Sequence, residues 1–392
     1  MTSEPRKLSM PVRHMWPALL ALLSGVGIAM ADQPPSAAFV EMRNLLSSTL
    51  EDCATKRRST FQRPPSPLVV AKPGSYYPSL MQSMGNQAIV LLEMLIDSAG
   101  NPRFVHAARV LSNREDAAFT DAAVSWAHAS TWSPGLSGGE PASGWMQMKL
   151  KFILYGSGPM GNILSESALR EEIDKAAKGD AKAIAIVSYL HSVAASEVAL
   201  TTAEQYDYLA TSALNGERAA ALRVAQLLSS PACIKPPLVL TMLTRQAMSG
   251  YSAAEMVLAG ELMEANDPST YERIAPLLHG AANSLDPFTA LWATGLLATA
   301  PADALRDPAF ALSNAKQFNH TDPDTLETLA AAQAANGNFE EAVKLERQAI
   351  DAAGRWKWKL DELQKRLATY QSGKPWTGYL CDCQQLVPGE GI

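Results

Sequence analysis

The sequence predicts a small α+β domain with an antiparallel sheet, followed by an all-α helical-repeat solenoid. Residues 76–155 read as helix, strand, strand, helix, strand, whereas residues 162–373 repeat one helical template. With 47% hydrophobic residues in a chain of 392, there is enough apolar material for both cores. The formal net charge of −6 disfavours a nucleic-acid binder with a broad basic face.

The first 31 residues have the three parts of a secretory signal. Basic residues precede an uncharged, mostly apolar run at 15–30, and Ala29 and Ala31 place small side chains at the positions that a signal peptidase reads. The alternative is an uncleaved anchor at residues 15–31, because about 17 apolar residues are at the lower limit for a membrane-spanning helix. Both alternatives predict that the remainder lies in the periplasm, either free or anchored to the inner membrane.

Two short segments precede the α+β domain. Residues 36–60 are predicted to form a short amphipathic helix, because Phe39, Leu46 and Leu50 recur at helical intervals. Residues 62–75 contain several prolines and are predicted to form an extended linker.

The α+β domain is predicted to span residues 76–155. An apolar strand at 87–96 is followed by a turn and by a second strand at 103–111. A helix at 115–129 then places its apolar side chains on one face. The last strand alternates apolar and polar residues, which is typical of one buried and one solvated face. Its apolar residues are Met146, Met148, Leu150 and Phe152, and its polar residues are Gln147, Lys149 and Lys151.

Several motifs occur in order within this stretch. They are Tyr77-Pro78, Leu95-Ile96-Asp97 with Ala99-Gly100, Ala122-Ala123-Val124-Ser125-Trp126, Thr131-Trp132-Ser133-Pro134, Gly139-Glu140-Pro141 and Lys151-Phe152. Together they resemble the C-terminal domain of TonB-type energy transducers. Two features depart from the family pattern: Ala88 stands where the family usually has glycine, and only a short spacer precedes the domain.

The resemblance implies a function in partner capture. In the family, an outer-membrane receptor peptide adds as a strand beside the last strand of the sheet. The role implied here is a non-enzymatic one in TonB-dependent transport across the envelope, with receptor peptides and an inner-membrane proton-channel complex as protein partners. The positions that would bind the partner are Tyr77, Pro78, Trp145, Met146, Gln147, Met148, Lys149 and Lys151.

The short spacer leaves a second hypothesis open. From Ala31 to Pro64 a fully extended chain spans roughly 110–120 Å, and a helix within it shortens that reach. The chain lacks the long Pro-rich arm with which TonB-type transducers reach the outer membrane. The alternative is therefore a periplasmic scaffold whose acidic helical-repeat domain binds another protein, without energy transduction.

The helical region repeats a glycine-containing template. Gly179, Gly216 and Gly250 are 37 and 34 residues apart, and each precedes a helix rich in Ala, Leu and Val. The clearest copy is 321–353, with its turn at Gly337. The pattern resembles Sel-type and tetratricopeptide repeats, and a simple helical bundle with accidental spacing is the alternative. Residues 374–392 are predicted to be a C-terminal tail.

The sequence contains no convincing catalytic, metal or cofactor motif. No two of the six histidines have helical ligand spacing, so we expect no metal site and no cofactor. Gly135-Leu136-Ser137-Gly138-Gly139 matches the letters of a hydrolase nucleophile elbow, but the required strand before it and helix after it are absent from the pattern. We therefore expect that the protein is not an enzyme.

Four cysteines permit two disulfides in an oxidising compartment. They are Cys53, Cys233, Cys381 and Cys383, and three connectivities are open. Because a bridge between Cys381 and Cys383 would be strained, the spacing favours long-range bridges that tie the C-terminal tail to the body.

Overall fold

The computed structural model describes most of the chain after residue 35. The described residues are 36–63, 65–112, 117–154, 166–177, 180, 183, 202–228, 233–264 and 267–381. The predicted signal or anchor at 1–31 and most of the first repeat copy, which follows Gly179, lie outside them. Among the helices that are described, none combines the length and the apolar character needed to cross a membrane.

The first helix is linked to a distant part of the chain by a disulfide. Helix α1 spans Ala37–Thr60 and buries Leu46, Leu50 and Cys53. Cys53 is bonded to Cys233, 180 positions further along the chain. These two cysteines pair with each other, so neither ties the C-terminal tail to the body as the spacing favoured. Cys381 is also disulfide-bonded, and Cys383 lies outside the described residues.

The segment predicted to be a linker is paired with the domain instead. Strand β1 (Phe61–Arg63) pairs with β6 (Gly135–Ser137), and β2 (Ser66–Val69) pairs with β5 (Thr131–Ser133). Strand β6 also pairs with β7 (Glu140–Ala142). An extended Pro-bearing segment already has a conformation close to that of a strand, and the short strands after the Trp-Pro turn offer backbone partners to it.

The main sheet has the predicted order of elements. Its strands are β3 (Ala88–Ile96), β4 (Pro102–Ser112) and β8 (Gly144–Phe152), and its helices are α2 (Ser79–Ser83) and α3 (Ala117–Ala129). Both β4 and β8 pair antiparallel with β3, which gives the order β4-β3-β8. Helix α3 covers one face of the sheet, where Phe119 and Trp126 pack against the even-numbered side chains of β3.

The rest of the chain is helical. Its helices are α4 (Glu166–Ala177), α5 (Thr202–Leu214), α6 (Arg218–Leu227), α7 (Pro237–Met248), α8 (Ser252–Glu264), α9 (Tyr271–Ala282), α10 (Pro287–Thr299), α11 (Pro308–Ala315), α12 (Pro323–Ala335), α13 (Phe339–Arg355) and α14 (Asp361–Gln371). From α5 onward each helix packs against the next, and α6, α8, α10 and α12 also pack in succession. This nearest-neighbour pattern is consistent with stacked helical repeats.

Local sequence signals set the ends of these helices. Gly216, Gly250 and Gly337 adopt φ values of +90°, +75° and +80° just after α5, α7 and α12, a conformation that glycine adopts without a Cβ clash. Asp286 and Asp322 precede proline and accept hydrogen bonds from backbone N–H groups three residues later, at 2.9 Å in both cases. These signals are local, which is why the repeat pattern was visible in the sequence.

The sheet is buried on both faces along its central strand. Ile89, Leu91 and Leu95 point away from α3, yet all three are buried. Leu95 packs with Cys381 of the C-terminal tail, and Glu93 interacts electrostatically with Arg223 of α6. The solvated face that alternation in the last strand predicted therefore does not extend to β3, because the helical region covers it.

Candidate partner-binding edge and the interface behind it

The last strand, β8, forms one margin of the sheet. Within the described residues it pairs with β3 over its whole length and with no further strand. A strand in this position presents backbone N–H and C=O groups that another extended segment can pair with. Within the part of the chain that the structure describes, the predicted binding strand is therefore an edge strand.

The side chains of β8 divide between a core and an exposed side. Met146 is buried and Met148 is half-buried, and both pack in the core under α3. Lys149 and Lys151 are exposed. Trp145 and Gln147 pair in the ladder with Leu95 and Glu93, but their side chains lie outside the described part of the structure.

Tyr77 supports one end of this strand. Its hydroxyl donates to the Asn86 carbonyl at 2.5 Å, and the Phe152 carbonyl of β8 lies 3.4 Å from the same hydroxyl. Its ring packs edge-on against Phe119 and Phe152, and burial raises the pKa of Tyr77. Pro78 directly precedes α2 and fixes the chain before that short helix. The structure thus gives both residues of the predicted entry motif a supporting position rather than a free surface.

A buried ion pair joins the sheet to the helical region. Arg103 of β4 is 2% exposed, and its Nε and Nη2 lie 2.5 Å from Asp324 Oδ1 and Glu327 Oε2 of α12. The guanidinium also lies over the Trp358 ring, 5.0 Å from its centroid. Burial alone would lower the pKa of Arg103, but attraction by Asp324 and Glu327 outweighs it and raises the pKa, so the guanidinium stays charged.

Phe104 continues this contact through an irregular backbone. It has φ +45° and interrupts the register between β3 and β4, so that β4 bulges at this residue. Its ring meets Phe288 edge-on at 5.0 Å and stacks with Trp292 at 6.0 Å. Its N–H donates to Asp324 Oδ2 at 3.4 Å. The bulge therefore directs two consecutive residues of β4 at the helices.

The turn between β3 and β4 makes a second contact with the helical region. Asp97 accepts hydrogen bonds from the backbone N–H groups of Ala99 and Asn101, at 3.0 and 2.7 Å. Asn101 in turn accepts from the Lys359 N–H at 2.8 Å and donates to the Lys359 carbonyl at 3.3 Å. The turn motif seen in the sequence thus has a structural role that its local pattern did not reveal.

A third contact is made by the end of α3. The His128 ring stacks on Trp356, with centroids 3.7 Å apart and planes at 22°. Burial lowers the pKa of His128 from 6.5 to about 4, so the ring is neutral near pH 7.

Behind Arg103 the acidic residues of the helices form a buried cluster. Glu327 also pairs with Arg366, and Glu346 lies near Arg366. Burial, with the nearby charge of Glu327, raises the pKa of Glu346 well above its ordinary value. This shift reduces the excess of negative charge in a cluster of three carboxyl groups and two guanidinium groups.

The other sequence candidates do not assemble into a chemical site. Gly135 to Ser137 form β6 and return directly into β7 through a tight turn, which is a hairpin and not the strand-to-helix elbow of a hydrolase. In the described part of the chain, no three His, Cys, Asp or Glu side chains come together as metal ligands.

Residues 73–154 form a small α+β domain whose antiparallel sheet carries a helix on one face and ends in strand β8. These residues match the family described as Gram-negative bacterial TonB protein C-terminal, and this part of the chain is a TonB C-terminal domain. At family level, the match supports a TonB-like role in envelope transport with protein partners. No curated protein and no solved structure matches the chain.

Proposed function

We propose that this is a non-enzymatic periplasmic protein that captures an extended partner peptide by strand addition at the outer edge of β8. The observation that carries the proposal is the position of β8 at the margin of the sheet, with its apolar side chains packed inward. Main-chain pairing at such an edge supplies affinity without a catalytic group. The partner of the proposed transport role is the TonB-box segment of an outer-membrane receptor, with an inner-membrane proton-channel complex as the source of energy.

The backbone direction of β8 identifies the residue to test. Neighbouring residues of an antiparallel strand turn their N–H groups to opposite sides. The contact of the Phe152 carbonyl with Tyr77 supports an outward direction for Phe152 and, by the same alternation, for Met148. A proline at Met148 would therefore remove a donor that a visiting strand needs, while the ladder to β3 is retained.

The experiment is a calorimetric titration of the full chain with a peptide carrying the TonB box of a receptor from the same cell. Met148→Pro should abolish binding, whereas Met148→Ala, which removes side-chain packing but keeps the N–H group, should retain it. Circular dichroism should show that both variants keep the helical region. Unchanged peptide affinity in a folded Met148→Pro protein would count against this edge.

A second candidate function is supported by the interface behind the sheet. The burial of Arg103 between the sheet and α12 holds the TonB C-terminal domain on the helical region. A domain held in this way suits a periplasmic scaffold that presents its acidic helices to another protein. Co-purification with a receptor and a proton-channel complex would favour transport, and isolation with unrelated periplasmic proteins would favour the scaffold.

A further inference from the structure

The contact between β4 and the helices has the features of a peptide-recognition site. An arginine and the aromatic residue that follows it enter one groove on the helical region, which is lined by two carboxylates and three aromatic rings. The groove is formed by Phe288, Trp292, Asp324, Glu327 and Trp358. Proteins usually recognise arginine with carboxylates that accept hydrogen bonds from its guanidinium group and with aromatic rings that stack on that group.

The energetics of this contact favour recognition over simple stabilisation. A buried ion pair is often no more stabilising than apolar residues of the same volume, because both charges lose their hydration. Phe104 also has a left-handed backbone conformation, φ +45°, which is unfavourable for a residue with a Cβ. A well-packed apolar strand with a regular backbone would join the two parts of the chain without burying charges and without an unfavourable backbone conformation.

The groove remains partly open where the aromatic ring sits. Phe104, Phe288 and Trp292 are all half-buried, and a cavity of about 30 Å³ lies beside Phe104 and Arg103. Residues Tyr379, Leu380 and Cys381 of the C-terminal tail line the same cavity. Phe104 therefore lies at a border of the interface, whereas Arg103 beside it is buried.

We propose that this groove is a binding site for an extended segment with arginine followed by an aromatic residue, and that Arg103 and Phe104 are its resident ligand. A partner protein that presents the same pair would displace β4 from the groove. The site would then connect partner binding on the helical region to release of the TonB C-terminal domain. It stands independently of the β8 edge, because none of its residues lies on β8.

The test uses the full chain and a peptide that copies its own residues 101–106, Asn-Pro-Arg-Phe-Val-His. The double variant Arg103→Ala/Phe104→Ala vacates the groove, so the peptide should bind it, and fluorescence anisotropy measures the affinity. The intact chain should bind about 100-fold more weakly, because its tethered ligand competes at a high effective concentration. A peptide with alanine at both positions should not bind, and adding Trp292→Ala to the double variant should abolish binding.

Two outcomes would overturn the proposal. One is a folded double variant that does not bind the peptide, and the other is equal affinity of the peptide for the intact chain and the double variant. If the double variant does not fold, hydrogen exchange of the intact chain decides the question. Excess peptide should increase exchange in β4, and unchanged exchange at millimolar peptide would reject displacement.

Discussion

Arg103 of β4 and Asp324 of α12 form a buried ion pair, with 2.5 Å between Nε and Oδ1, although 221 positions separate them in the sequence. The pair joins the TonB C-terminal domain to the helical region at the face of the sheet opposite α3.

Removal of the Arg103 side chain should destabilise the protein strongly. Arg103→Ala removes the cationic partner of Asp324 in a buried site, and Glu327 loses one of its two, so the free energy of unfolding should fall by about 3–5 kcal/mol. Arg273 is exposed on α9, and Arg273→Ala should change stability by less than about 0.5 kcal/mol. Urea unfolding followed by circular dichroism measures both. Equal effects of the two substitutions would show that the ion pair does not hold the interface.

The turn before β4 should require glycine at position 100. Gly100 has φ +89°, and a Cβ there would lie 2.7 Å from the backbone carbonyl oxygen of Trp132. Gly100→Ala should therefore lower the free energy of unfolding by about 2–3 kcal/mol. Gly74 is the matched control, since its φ is not positive and a Cβ there would meet nothing within 4 Å. Thermal unfolding of Gly74→Ala should show no loss of stability.

Stability should decrease in mild acid because of His128. Its pKa is about 4 in the folded chain, because of burial, against 6.5 for an ordinary histidine. Between these pH values the unfolded chain binds a proton at this ring that the folded chain does not bind. The free energy of unfolding should therefore fall as the pH falls from 6.5 to 4, by up to roughly 3 kcal/mol from this group.

The variant His128→Phe isolates this effect from the carboxylates that titrate in the same range. Phenylalanine can still stack on Trp356 but has no proton to bind. Urea unfolding at several pH values measures the free energy of unfolding. Between pH 6.5 and 4 this free energy should fall less for the variant than for the native chain. Identical pH dependence in the two proteins would contradict the role of His128.

The disulfide between Cys53 and Cys233 should stabilise the position of α1. It closes a loop with a sequence separation of 180. Because a bridge across a loop of that size lowers the entropy of the unfolded chain, it should stabilise the folded state by about 3–5 kcal/mol. Reductant should lower the Tm of the native chain. In Cys53→Ala/Cys233→Ala the Tm should already be low, and any further response to reductant would come from the disulfide at Cys381. An equally large reductant effect in the double variant would assign the stabilisation to that other disulfide.

The order of helices and strands in the α+β domain was predictable because it is encoded locally. The apolar run of β3, the alternation of β8 and the glycines after α5, α7 and α12 all act through neighbouring residues. The TonB-like motifs were likewise visible, since most of them set turns and short-range packing. The segment 62–75, predicted to be an extended linker, contributes short paired strands, and the sequence did not indicate this because an extended segment and an edge strand have the same local pattern.

The interface residues were not identified from the sequence. Arg103 and Phe104 looked like the start of an ordinary strand, and the only local hint was an arginine at its first position, directly after a turn. Asp324 lies in the first turn of α12, where an acidic residue is a common surface feature. Nothing in either segment indicates that the two meet.

The sequence by itself determined the two kinds of structure in this chain and their order, because the periods of strands and helices extend over only a few residues. Only the tertiary structure decided that the second face of β3 is buried and that Arg103 and Phe104 enter the groove between α10 and α12. Those outcomes depend on which surfaces meet across more than 200 residues, and burial and charge pairing at that distance leave no periodic trace in either partner.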